Sequence, residues 1–222
     1  MTNVFLKPWV GENYAQEGYK SKKILVVGDS HYCNKEDCEK WKAGCGDWEN
    51  KCSNKDLQTK NIVTWYLDCS PAGEKRGARS EGWMRTYDTF TDVFHGEKCS
   101  YETLQDFWNS IVYYVYVQRA VPSHTKAPSS ELYQKSEKAF FEILAEYKPD
   151  VVFVWGMRIW AHNKFPNGIR LAGKAIHDDR GGCLAYYNDG VRDIPVYRLG
   201  HPSHNSLKME DSKKIQEVLR MA

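Results

Sequence analysis

The sequence predicts an α/β fold: three layers, α/β/α, around a short, mostly parallel, four-stranded central sheet. Three observations carry this. Four short apolar runs are rich in β-branched and aromatic residues. Helix-period segments lie between them. Residues able to do chemistry collect where the runs end, which is where parallel sheets bind their ligands.

The first run is Ile24-Leu25-Val26-Val27-Gly28. It is uninterrupted, so it reads as a strand buried on both faces. The second, IVYYVYV over 111–117, closes at Gln118, Arg119 and Pro122. The third is Val151-Val152-Phe153-Val154-Trp155, ended by Gly156. The fourth runs from Ile194 to Leu199 and ends at Gly200; its Pro195 predicts an edge position. Asn188-Asp189-Gly190, between β-like stretches of 183–199, signals a hairpin. Ser129 or Ser130 can cap a helix carrying Leu132, Phe140, Ile143, Leu144 and Tyr147, which Pro149 stops. From about Leu207 to Met221 the chain reads as a closing helix, with Ile215, Val218 and Leu219 on one face.

With 222 residues and no internal repeat, the chain reads as one domain over 1–222, carrying a Cys-rich loop insertion at 33–60. No apolar run approaches the ~18 residues of a membrane span, and the N-terminal residues lack a basic-then-apolar leader. Seven cysteines, an odd count, then point to a reducing compartment and a cytoplasmic protein. The net charge, 31 − 29 = +2, excludes a polycation but permits a local basic groove. No membrane partner is expected, and a monomer is favoured.

The strand ends supply the candidate site. The first delivers Gly28, Asp29, Ser30, His31 and Tyr32; the third, Gly156, Met157 and Arg158; the fourth, Gly200, His201, Pro202, Ser203, His204, Asn205 and Ser206. The Asp29 and His201 turns are expected to face each other across one crevice. Gly-Asp-Ser-His-Tyr after an apolar strand, then Val-Val-Phe-Val-Trp-Gly, then His-Pro-Ser-His-Asn-Ser, resembles the uracil-DNA glycosylase superfamily. One branch of that family carries GQDPY, a VVFLLWG-like strand and HPSPLS in the same order.

The resemblance implies a uracil-DNA glycosylase-like fold and a hydrolase of N-glycosidic bonds, with DNA as partner, a DNA-repair role and no required cofactor. Base release passes through an oxocarbenium-like state with an anionic leaving base. A hydrogen-bond donor to that base and a water held at the sugar both accelerate it. By resemblance His201 is the donor, Ser203 and Ser206 grip phosphate, and Tyr32 walls the base pocket. Asp29, with Ser30, holds the water. Gly28, His31, Gly156, Pro202, His204 and Asn205 complete the expected binding surface. The family's aspartate falls on Ser30 here, with the acid one place earlier at Asp29, as in branches reading GEAPG. His31 stands for the usual proline, and Asn205 for the wedging leucine. The base-reading asparagine of the second strand has no match.

Two other readings stay open. Gly-Asp-Ser also resembles GDSL-type esterases, in which Ser30 would be the nucleophile and His201 or His204 the base. Their Asp three residues before the base histidine is replaced here by Arg198. The fold could also be a catalytically silent module that binds a nucleobase or nucleic acid.

Cys33, Cys38, Cys45 and Cys52 are candidates for a structural zinc or an iron–sulfur cluster, although only the first pair has a zinc-like spacing; a loop of free thiols is the alternative. Lys75, Arg76, Arg79 and Arg85, with Trp83 and Tyr87 among them, form a segment able to track a phosphate backbone or simply to stay solvated. His95, His124, His162 and His177 read as structural or solvent-facing.

Overall fold

The computed structural model describes residues 1–33, 58–69, 82–121, 127–160, 165–172, 182–203 and 206–222. In chain order the elements are β1 (Trp9–Val10), β2 (Ile24–Gly28), α1 (Thr59–Asp68), α2 (Met84–His95), α3 (Tyr101–Asn109), β3 (Ile111–Val115), α4 (Ser130–Tyr147), β4 (Val151–Trp155), β5 (Ile169–Leu171), β6 (Cys183–Asn188), β7 (Asp193–Leu199) and α5 (Ser212–Met221). The protein is α/β, with strands and helices interleaved.

Among the described residues the sheet has seven strands, ordered β1-β3-β2-β4-β7-β6-β5, which corrects the expectation of four. Its centre, β3-β2-β4-β7, is wholly parallel and consists of the four runs read from the sequence. The additions are antiparallel edges: β1 on one side, β6 and β5 on the other. The run at 111–117 is a strand only to Val115. Beyond it the chain still follows the β2 turn: Tyr116 donates its N–H to the Gly28 carbonyl and Val117 donates to that of Asp29.

Pro195 does not lie on an edge strand, since β7 pairs with both β4 and β6. It is tolerated because pairing with β4 begins only at Val152↔Val196, one residue later, so the missing N–H interrupts no bond of that ladder. The β6–β7 hairpin turns as expected: Asn188 Oδ1 accepts from the Gly190 N–H, and Asp189 Oδ1 from Val191 and Arg192. Ser129 caps α4 by accepting from the Leu132 N–H. The helix stops at Lys148, in the left-handed region at φ 45°.

Strand periodicity sorts the core onto two faces. Ile24, Val26, Phe153, Trp155, Tyr197 and Leu199 face one side, against aromatic residues of α1, α2 and α3 and Ile215 of α5. Leu25, Val27, Val152, Val154 and Val196 face the other, against Phe140, Ile143 and Leu144 of α4. The closing helix itself begins at Ser212, after a single 3-10 turn at Met209–Asp211. Among the described residues no helix is long and apolar enough to cross a membrane.

Candidate functional site

Because β2, β4 and β7 are parallel neighbours, their carboxyl ends open on one rim. The register pairs Val27 with Val154 and Trp155 with Leu199, so the β2 and β7 turns flank the end of β4. Two strand spacings put their backbones about 10 Å apart. Gly156 lies between, in the left-handed region at φ 87°. A Cβ there would come 3.3 Å from His201 Cδ2, so the imidazole rests on the bare glycine.

Gly28 ends β2 over a phenol. An added Cβ would lie 2.3 Å from Tyr113 Oη, and Tyr113 is buried beside Tyr87 and Trp155. Gly28→Ala is expected to cost about 1–3 kcal/mol through overpacking. Urea unfolding should show a smaller cost in a Tyr113→Phe background, where the clashing hydroxyl is gone.

Asp29 leans toward α4, where Tyr133 Oη donates to its Oδ1 at 2.7 Å. Oδ2 accepts no hydrogen bond from the described residues. Burial pushes the carboxyl above its ordinary value, while the Tyr133 hydroxyl and the Arg158 guanidinium pull it back down. Ser30 is half-buried. Tyr32 is 44% exposed, the most open aromatic of the turn; burial raises its phenol, as does the Asp29 charge, against Arg158.

His31 turns inward. It is 8% exposed and shares a 3.0 Å hydrogen bond between Nε2 and Thr59 Oγ1 at the start of α1. Burial pushes its imidazole down to about 4. The unfolded chain therefore binds a proton that the folded one refuses between pH 6.5 and about 4. Stability is full above that window and is lost as pH falls through it, by on the order of 3 kcal/mol. Urea melts from pH 4 to 8 should show this slope, and His31→Gln should flatten it.

His201 sits edge-on to Trp155, ring centroids 6.3 Å apart. Its Nδ1 lies 3.2 Å from the Ser203 backbone nitrogen and 2.7 Å from Ser203 Oγ. A backbone N–H can only donate, so Nδ1 accepts. The neutral ring then carries its proton on Nε2. Ser206 Oγ donates to the His201 carbonyl at 3.2 Å, tightening the loop. Pro202 is buried and Ser203 exposed. His204 and Asn205 lie outside the described residues.

The rim thus gathers Gly28, Asp29, Ser30, Tyr32, Gly156, His201, Ser203 and Ser206, while His31 serves as a latch to α1. Asp29 is bonded to Tyr133 of α4, and His201 rests against Trp155 and Gly156. Tyr133 and Tyr113 were not among the expected site residues. Arg158 lies in the turn after β4, where its guanidinium acts on the Asp29 carboxyl.

Cys33 is buried, its N–H donating to the Val121 carbonyl; Cys38, Cys45 and Cys52 lie outside the described residues. Among the described residues no group of three or more His, Cys, Asp or Glu is placed to hold a metal ion. Of the basic segment, Lys75, Arg76 and Arg79 lie outside the described residues and Arg85 is exposed. Tyr87 is 5% exposed and packs in the core, which removes it from any stacking surface. Trp83 tilts against the half-exposed Trp65 at 5.4 Å. His95 is structural, held between the Tyr19 hydroxyl and the Thr91 carbonyl; His124, His162 and His177 lie outside the described residues. No family model and no curated protein matches the chain.

Proposed function

We propose that the protein hydrolyses the N-glycosidic bond of a nucleobase, with DNA as the substrate class, as a divergent relative of the uracil-DNA glycosylases. The observation that carries this reading is the hydrogen bonding of His201. Nδ1 is occupied as an acceptor, so Nε2–H is a neutral donor. That is what an anionic leaving base requires. Asp29, on the same rim, has one carboxylate oxygen tied and one that accepts no hydrogen bond from the described residues, a suitable arrangement for orienting a water and taking its proton. Tyr32 offers an exposed ring beside it, and Ser203 and Ser206 border the His201 loop.

The same tautomer argues against an esterase built on Ser30. A base accepting the serine proton at Nε2 must carry its own proton on Nδ1, and here Nδ1 faces a donor.

The test is a panel of single- and double-stranded oligonucleotides containing uracil, hypoxanthine, xanthine or alkylated bases, read out as alkali-labile abasic sites. Abasic product that depends on His201 and Asp29 supports the assignment. Product that persists in both His201→Ala and Asp29→Ala overturns the roles. Ester hydrolysis dependent on Ser30, with no abasic product, replaces the reading by an esterase. Binding without turnover replaces it by a recognition module.

A further inference from the structure

Asp29 reaches the rim with a partner that no motif announces. Tyr133 projects from the first turns of α4, 104 residues further along the chain, and its hydroxyl donates to Asp29 Oδ1 at 2.7 Å. Its ring is held in place: it tilts on Tyr116 with centroids 6.2 Å apart, and α4 is fixed beneath by Phe140, Ile143 and Leu144 in the core. The donor is therefore delivered by a rigid element, whereas the carboxylate it meets sits on a turn.

We infer that Tyr133 is a positioning residue for Asp29: it fixes one carboxylate oxygen, so that the other is presented to a water at the rim. This rests on the reading of Asp29 as the carboxylate that orients water. A carboxylate with neither oxygen anchored samples several rotamers, and only some of them aim a lone pair at a given water. A single donor to Oδ1 removes that freedom and leaves Oδ2 as the basic atom.

The same contact favours the ionised form, because a hydrogen bond donated to a carboxylate stabilises its charge. Among the described residues, four titratable or charged groups face Asp29. Tyr133 comes from α4, and Arg158 from the turn after β4. Tyr32 stands on its own turn, and Tyr113 on β3. Arg158 also favours the charge, and the Tyr32 and Tyr113 phenols are neutral across the working range. Tyr133 is thus the one described group that both orients the carboxylate by a hydrogen bond and, against the effect of burial, favours its charge.

Tyr133→Phe deletes the hydroxyl and keeps the ring. Three measurements on the full chain decide the matter. With 13C-labelled aspartate, the Asp29 carboxyl should titrate at higher pH in Tyr133→Phe than in the parent. In the parent, the Tyr133 13Cζ resonance should move with the same inflection as Asp29, a result that needs no variant. On whichever oligonucleotide is cleaved, the acid limb of the kcat profile should shift to higher pH, with KM unchanged.

If Tyr133 merely fastens α4 to the rim, Tyr133→Phe lowers Tm and leaves the Asp29 titration where it was, and that result overturns the inference. A Tyr133 resonance blind to the Asp29 inflection overturns it as well. If no oligonucleotide is cleaved, the function proposed above falls, while the two resonance measurements still decide whether Tyr133 controls Asp29.

Discussion

His201→Ala is expected to lower kcat on a cleavable base by about 10²–10³-fold, the usual loss when one preorganised donor to a developing anion is removed. KM should change little, because under the proposed function the charge that Nε2–H would stabilise exists only as the glycosidic bond breaks. The side chain is half-exposed at the rim, and it rests on Gly156 and the edge of Trp155, so its truncation should leave Tm within a few degrees of the parent. A loss of activity matched by a loss of fold would mean that the imidazole is only a packing element. Ser203→Ala provides a graded companion. It removes the Oγ contact to Nδ1 but keeps the backbone N–H that sets the tautomer, so its effect should be far smaller than that of His201→Ala. Steady-state kinetics at neutral pH on both variants, with thermal melts alongside, check the pair.

The central sheet could be read from the sequence because its strands are buried on both faces. Such strands must be continuously apolar, and Ile24–Gly28 and Val151–Trp155 are. The hairpin could be read because Asn188 and Asp189 cap their own turn, and α4 because Ser129 caps it and Pro149 follows it. Other elements carry weaker marks. β1 has two residues and β5 three, too few for a period to show. Helix α2 contains three threonines or tyrosines in its first six residues, poor helix formers on propensity alone. It is held by tertiary contacts instead. Its buried Asp92 accepts from the Cys99 N–H and pairs with Lys98 beyond the helix end, a solution invisible to a pattern of apolar positions. The candidate site divides the same way. Parallel strands send their C-termini to one rim, so Asp29 and His201 follow from the order of the runs. Tyr133 lies on a helix whose period says only that it is partly buried. That it meets Asp29 depends on how α4 crosses the sheet. His31 has rim residues on either side in the sequence, yet it is buried and bonded to Thr59, which no pattern of residue types along the turn announces.

Trp155→Ala should be the most damaging single truncation at the rim, costing about 3–5 kcal/mol. The ring is 1% exposed and ends β4. It stands at 4.9 Å from Phe90, 5.0 Å from Tyr113 and 5.8 Å from Tyr87, centroid to centroid. These neighbours belong to α2 and β3, so the void opens between sheet and helix layer, where neither element can collapse without moving the other. Against a total stability of about 5–15 kcal/mol this is a large share, and a chain of this size should lose about 6–20 °C in Tm. Trp65→Ala is the control. That ring is 50% exposed and should cost far less. Trp155→Phe separates packing from polarity. Indole Nε1 has no hydrogen-bond partner among the described residues, so the change sacrifices volume but no bond, and it should fall between the parent and Trp155→Ala. The consequence at the site follows from contact: Trp155 touches both Tyr113, which underlies Gly28, and His201, which rests on Gly156. Loosening it frees both turns together. Residual folded Trp155→Ala should therefore lose turnover beyond its loss of folded fraction, which activity normalised to the folded population from circular dichroism would measure.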